Sequence, residues 1–284
     1  MKIVIIGTAG HFGLATHTMA THPELRLVGI ASAVAGDFDA ATAERVCTEL
    51  GGRIFTDYRQ MLDEVKPDIA CISTRYDLNG PVSLECLKRG IHCFTEKCIA
   101  HNFIMLEQLR LAAANTGAKI IGMHNMRYKQ NFTAAQQAAA AGMVGIPRLI
   151  YARKSYKFGG SRPDFYRHRE FYGGTILWVG IHAIDSLCWL GGELKDVEAF
   201  HSRADNFGYG DCEAAAVISS RSVNGCLGSI TVDYYQPSRS AVHGDDQLRI
   251  AGDKGVIEAL YGKAYLITHD QEKVELPLEP TGDM

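Results

Sequence analysis

From Lys2 to about Gly122 the chain alternates short apolar runs with longer helix-compatible stretches, and this alternation restricts the fold more than any other feature. The runs are "KIVIIG", "LRLVGIA", "DIACIST", "IHCFTE" and "KIIGMH", with "RIF" as a weaker strand candidate. Between them lie "HFGLATHTMATH", "AATAERVCTEL", "YRQMLDEV", "GPVSLECLKRG" and "FIMLEQLRLAAANTG". Strands and helices in this rhythm imply βαβ units, a parallel sheet and helices on both of its faces. The strands are apolar throughout rather than alternating, which fits burial on both sides.

After about Asn125 the texture changes. An Ala-rich helix, "FTAAQQAAAAG", leads into "PRLIYARKSYKF", and a second helix is expected over "GTILWVGIHAIDSLCWLGG". Then come strand-like runs joined by Gly and Asn turns: "VEAFHS", "EAAAVISS", "GCLGSITVDYY", "QLRIAG", "GVIEAL" and "AYLIT". Neighbouring strands of this kind predict an open-faced, mostly antiparallel sheet in an α+β domain. The expected division is 1–122 for a doubly wound parallel α/β domain and 123–284 for the α+β domain.

Composition narrows the function classes. Formal net charge is −3, with 29 basic and 32 acidic residues intermixed, so no basic stripe exists to follow a nucleic-acid backbone or a membrane surface. The N-terminus lacks the long apolar core and cleavage site of a signal peptide, and no apolar run is expected to span a bilayer. Eight cysteines occur without a CxxC pair, several inside strand-like runs, which suits reduced, buried thiols and a cytoplasmic location.

"KIVIIGTAGHFGLATH" places Gly7, Thr8, Ala9, Gly10, His11, Phe12 and Gly13 at the junction of the first strand and helix. Uncovered amides at a helix N-terminus hold a pyrophosphate through hydrogen bonds and the helix dipole. The spacing is GxxGxxG rather than GxGxxG, and a plain tight turn is the competing reading. The second strand ends at Ser32, where an NAD site normally carries an acid for the ribose hydroxyls. NAD and NADP both stay open, with a lean toward tolerating NADP because that acid is missing.

"IHCFTEKCIAHN" ends a strand in Glu96 and Lys97. Ligands of open α/β sheets bind outside the carboxyl ends of the strands, and a lysine there can hold a substrate hydroxyl and stabilise a developing alkoxide. The alternative is a surface ion pair on a solvated loop. No HExxH, zinc-type cysteine pair or GxSxG occurs, and no third ligand joins His182 and Asp185, so no metal is expected.

Taken together, the glycine loop, "TEKCIA", "GMHNMRY" with Arg127, and "GGTILWVGIHAID" with Gly173, Gly174, Gly180, His182 and Asp185 resemble the Gfo/Idh/MocA family over nearly the whole chain. That family includes glucose-fructose oxidoreductase, inositol dehydrogenase and related NAD(P)-dependent sugar enzymes. The resemblance implies a Rossmann domain binding NAD or NADP. It also implies a second domain that covers the active site and makes a homodimer or homotetramer through its sheet. Cofactor contacts are implied for the glycine loop, Ser32, Thr74, Arg75, Glu96, Lys97 and Arg127. Lys97 would sit at the nicotinamide, and His182 would be the acid/base for the hydroxyl proton.

The sequence departs from the family at three places. Cys98 replaces the proline after Glu-Lys, where a cis bond to a non-proline residue costs roughly 3 kcal/mol. Trp178 replaces the carboxylate four residues before His182, either to stack on a sugar face or as a core aromatic. "STRYDLNG" replaces TPNxxH, so that Arg75 meets a phosphate or faces solvent. Asp185 is expected to anchor the helix or the histidine. Tyr156 and the polar loop "YKFGGSRPDFYRHREFYGG" are candidates for substrate contact; Asp164, like the loop's other acid, is a possible stand-in for the lost carboxylate. The end at Met284 is short for the family and puts a late strand or extension in question.

The leading expectation is an NAD(P)-dependent oxidoreductase acting on a sugar, polyol or related hydroxy or keto compound. Two others stay open: a redox-neutral NAD-dependent glycosidase or lyase on the same scaffold, and a nucleotide-binding sensor without turnover.

Overall fold

A computed structural model describes residues 1–35, 37–159 and 162–280. Gly160 and Ser161 of the polar loop, and Met284, lie outside the described residues. The chain divides into two compact units, Met1–Met123 with Glu170–Gly173, and His124–Arg169 with the residues from Gly174 onward.

In the first unit the apolar runs become β1 (Lys2–Ile6), β2 (Arg26–Ala31), β3 (Arg53–Phe55), β4 (Ile69–Ile72), β5 (His92–Thr95) and β6 (Ile120–Gly122). The intervening helices are α1 (Gly13–Thr21), α2 (Ala40–Leu50), α3 (Tyr58–Val65), α4 (Asn79–Lys88) and α5 (Phe103–Thr116). The six strands pair in parallel in the order β3-β2-β1-β4-β5-β6, a doubly wound sheet.

Side-chain alternation along the strands makes two cores. Val4, Ile6, Ala70 and Ile72 face one layer of helices, while Ile3, Ile5, Ile30 and Cys71 face the other. Both faces are buried, which explains why the strands read as unbroken apolar runs. The strand order reverses between β1 and β4, so the crevice lies at the loops that follow them, the glycine loop and Ser73-Thr74.

The second unit contains α6 (Gln130–Ala140) and β7 (Pro147–Tyr156); the one-turn helix α7 (Arg169–Tyr172) follows in the chain. A π-helical turn, Ile176–Gly180, then runs into α8 (Ile181–Gly191). The remaining strands are β8 (Leu194–Ser202), β9 (Ala215–Ser222), β10 (Leu227–Asp233), β11 (Gly244–Gly252), β12 (Gly255–Leu260), β13 (Lys263–Thr268) and β14 (Val274–Glu275). They form an eight-stranded sheet in the order β14-β13-β12-β11-β7-β10-β9-β8. Every pairing in it is antiparallel except β7 with β10.

One face of this sheet is covered and the other is open. Helix α8 lies over β7 and β10, and α6 over β12 and β13. Ile150, Ala152, Ile218, Ile230, Ile250 and Ile257 are buried, whereas Leu149, Val217 and Leu227 are exposed. Alternation in β9, with Ala216, Ile218 and Ser220 in and Val217, Ser219 and Arg221 out, is the period-2 signature of a half-covered strand.

By length and composition alone, the 23 residues Arg169–Gly191 are apolar enough to span a bilayer, contrary to the sequence expectation. Half of that stretch's apolar window is buried within the protein, and Gly173 and Gly174 interrupt it with φ of +81° and +105°. The cysteines are all free thiols.

Both tryptophans, Trp178 and Trp189, belong to the second unit, so their fluorescence reports its unfolding. Ile250 is completely buried at the centre of the sheet. Ile250→Ala is expected to cost about 2–5 kcal/mol, seen as a lower urea midpoint by tryptophan fluorescence with unchanged slope.

Candidate functional site

The glycine loop is shaped by what surrounds it. Gly7 has φ +79°, and a Cβ there would come within 2.5 Å of the Ser73 carbonyl oxygen. The loop is fixed to its neighbours by backbone bonds: Gly7 N–H to Ala31 O at 2.8 Å, Thr8 N–H to Asp37 O at 2.7 Å and Ala9 N–H to Ser73 O at 2.8 Å. Helices α2, α3 and α5 are closed by Asp39, Asp57 and Asn102, whose side chains accept from the first turn. Helix α1 has no such cap, and the amides of Gly10, Phe12 and Gly13 have no partner among the described residues. These donors and the dipole of α1 suit a pyrophosphate, so the residues present fit a dinucleotide.

Glu96 closes the loop from below. Its carboxylate is completely buried; Oε2 accepts the His11 N–H at 2.5 Å and lies 2.6 Å from His11 Nδ1. Oε1 accepts the Lys97 N–H at 3.0 Å and stands 3.8 Å from Lys97 Nζ. Burial pushes this carboxyl up, but the His11 hydrogen bonds and the Lys97 charge outweigh it and hold Glu96 below its usual range. A Cβ on Gly10 would overlap Glu96 Oε2 and lie 2.8 Å from Ser73 Oγ.

Lys97 is itself 3% exposed at the end of β5. The Lys97–Cys98 peptide is cis, and Cys98 Sγ donates to Ala100 O at 2.7 Å. Asn79, at the family's histidine position, is buried and ties two loops together. Its Oδ1 accepts from Thr74 N–H at 3.3 Å and Thr74 Oγ1 at 3.0 Å, and its Nδ2 donates to Glu96 O at 3.3 Å.

An acid that the sequence reading missed stands near Ser32. Asp37, 1% exposed, accepts from Ser32 Oγ at 3.0 Å and from Ala33 N–H at 3.3 Å. Burial raises its carboxyl, opposed by those hydrogen bonds and by the Arg75 charge. Arg75 pairs with both oxygens of Asp77 at 2.7 and 2.9 Å, and its guanidinium lies 4.0 Å from the Phe171 ring centroid.

In the second unit, α8 carries a second polar cluster. His182 is 2% exposed, with the His124 ring centroid 6.0 Å away. Asp185, one turn on, accepts both Arg127 N–H groups at 2.6 and 2.7 Å and lies 3.6 Å from His124 Nδ1. Burial raises the Asp185 carboxyl, and His124 and Arg127 outweigh that to leave it below its usual range. Arg127 is thus engaged with Asp185 and lies over the Trp189 ring.

Trp178 is buried within the π turn and packs edge-on against Tyr166. Asp164 is largely exposed and pairs with Arg167 at 2.9 Å. Tyr156 packs at a tilt against His243, with Lys154 Nζ 4.7 Å from its ring centroid. Glu213, absent from the sequence reading, is the buried acid at the start of this helical segment. It accepts from Thr175 N–H at 3.0 Å, and it pairs with Arg169 and with His201, the latter at 3.1 Å. Its only sequence signal was an acid directly before an apolar strand, in "DCEAAAV". Among the described residues no group of three or more His, Cys, Asp or Glu side chains could hold a metal.

Residues 1–124 match the oxidoreductase family with an NAD-binding Rossmann fold, and residues 132–258 match the GFO/IDH/MocA C-terminal domain. The chain belongs to the Gfo/Idh/MocA family. A Thermotoga maritima structure described as an oxidoreductase is 37% identical, with a TM-score of 0.94 over 100% of this chain and 86% of that one. Levoglucosan dehydrogenase in complex with NADH and levoglucosan has the same fold, at 19% identity and a TM-score of 0.83 over 99% of this chain and 80% of that one. A curated relative, glycosyl hydrolase family 109 protein 1 of Akkermansia muciniphila, is 24% identical over 162 residues, 55% of this chain. The match spans only 33% of that relative's length.

The first unit of this Gfo/Idh/MocA protein is therefore an NAD-binding Rossmann domain, and its loop geometry yields two expectations. Gly10→Ala drives a methyl into the Glu96 carboxylate and is expected to weaken NAD binding at least about tenfold by calorimetry, with the fold retained by circular dichroism. Glu96 has a folded-state pKa below 4.5, so its contribution to stability is present above about pH 4.5 and lost as pH falls through the lowered value. Lowering the pH from about 6 to 4 should therefore reduce the urea midpoint more for wild type than for Glu96→Gln.

Proposed function

We propose that this protein is an NAD-dependent dehydrogenase or reductase acting on the CH–OH carbon of a sugar, a polyol or a related hydroxy or keto compound. The observation that carries the reading is Lys97. It is a nearly fully buried lysine whose neighbouring acid is hydrogen-bonded into the dinucleotide loop. A buried ammonium at the carboxyl end of a sheet strand stands where open α/β sheets bind their ligands. In the proposed reaction Lys97 donates a hydrogen bond to the substrate oxygen and stabilises charge developing there. His182 takes the hydroxyl proton in the oxidising direction and returns it in the reducing one. Bound NAD supplies the hydride acceptor.

Asp37 supports NAD over NADP, because a carboxylate hydrogen-bonded to Ser32 opposes a 2′-phosphate near the end of β2. The polar loop and Trp178 are the proposed source of substrate choice, Asp164 and Tyr156 included. The open sheet face, with Leu149, Val217 and Leu227 exposed, supports a homodimer or homotetramer through that sheet. A cytoplasmic location is part of the same proposal.

A second reading is favoured by the likeness to glycosyl hydrolase family 109 protein 1. In it, the same residues oxidise a glycoside transiently, eliminate its substituent and reduce it back, with no net change in cofactor.

A sugar and polyol panel supplied with NAD or NADP separates the two. The first reading expects the reduced-nicotinamide absorbance to rise, faster with NAD, and Lys97→Met to lower kcat about 10²–10³-fold with NAD affinity retained. Release of a leaving group from a glycoside without that absorbance change would favour the second reading. Failure of NAD to bind would defeat both.

A further inference from the structure

His182 is 2% exposed, so a proton that it accepts from a substrate needs a route to water before the next turnover. The side chain beside it is a second imidazole. His124 follows β6 in the chain and belongs with α8 to the second unit. Its ring centroid is 6.0 Å from that of His182, in a T-shaped arrangement at 68°. One water spans such a separation.

His124 also has the environment that a proton carrier needs. Its side chain is 26% exposed, so it meets solvent where His182 does not. Its Nδ1 is 3.6 Å from Asp185 Oδ1, and that carboxylate is itself held by the bidentate pair with Arg127. Cys188, on the next turn of α8, and Tyr128 both act electrostatically on Arg127.

We propose that His124 is the proton relay of this site, carrying the substrate-derived proton from His182 to solvent in the oxidising direction and back in the reducing one. This rests on the reading of His182 as the acid/base. In oxidation the substrate loses a hydride to the nicotinamide and its hydroxyl proton to His182. The imidazolium of His182 passes that proton to neutral His124, and His124 releases it to water, so that both rings end the cycle as they began. His124 acts through His182 and does not touch the substrate, which makes it a positioning residue. In "GMHNMRY" the arginine is the residue with a pattern behind it, and His124 stands three residues before it.

The test begins without a substrate. Full-length protein labelled with ¹³C at histidine Cε1 is titrated with NAD bound, as wild type, His124→Gln and His124→Asn, with tryptophan fluorescence confirming the fold of each. Coupled imidazoles make the His182 signal respond to both ionisations, and either substitution should shift its apparent midpoint by roughly half a pH unit or more. A His182 curve that is the same in all three proteins overturns the proposal. With the panel sugar that gives the fastest turnover, His124→Gln should lower kcat about tenfold at low buffer while KM holds, and imidazole should restore it. A kcat unaffected by the substitution, or one that added imidazole leaves low, also overturns it. Coupled titration with no oxidation of any sugar would defeat the oxidoreductase reading while the imidazole pair stands.

Discussion

A completely buried carboxylate, Glu96, is the constraint on which the first unit's site depends. An unpaired charge at such a position is prohibitively costly, so the chain around it is arranged to supply donors. The His11 amide and ring come from the glycine loop, and the Lys97 amide and ammonium come from the end of β5. Three features follow from this one group. Gly10 has no room for a side chain, the loop is held against β5, and the nearly buried Lys97 side chain lies beside a carboxylate. The acid of the Glu-Lys pair is thus the structural member.

The second unit solves a similar problem with two acids. Asp185 collects Arg127 and His124 beside His182, while Glu213 satisfies Thr175 N–H at the start of the helical segment that carries His182. The turn between them is π-helical, wider than an α turn, and the 100° spacing that would align Trp178 with His182 does not hold through it. Single-turn π segments are frequent at functional sites. Here the wider turn lies directly before the helix that presents the histidine.

Legibility followed periodicity. The strands of the first unit were readable because β1, β2, β4 and β5 are buried on both faces and therefore uninterrupted in sequence, and even the short β3 was visible as "RIF". The second unit's strands were readable from their turns. So was the mostly antiparallel character of its sheet, but not which pair is parallel, because the β7–β10 pairing leaves no local mark on either strand. Glu96 and Lys97 were readable from their place at a strand end. Asp37, Glu213 and His124 were not, since each acts on a partner fixed by tertiary structure: Ser32 at the end of β2, Thr175 across 38 positions, and Asp185 on another helix.

The case of Ser32 shows why such residues escape a pattern. A fingerprint records where an acid stands in the chain, whereas the cofactor's environment depends on where its charge stands in space. Asp37 lies five positions beyond the expected one, yet its carboxylate is hydrogen-bonded to Ser32 Oγ and to Ala33 N–H. Its own carbonyl accepts from Thr8 of the glycine loop at 2.7 Å. The same residue therefore returns a carboxyl group to the end of β2 and helps to fix the glycine loop. A serine in the acid's usual place is, in this chain, the hydroxyl that holds the acid.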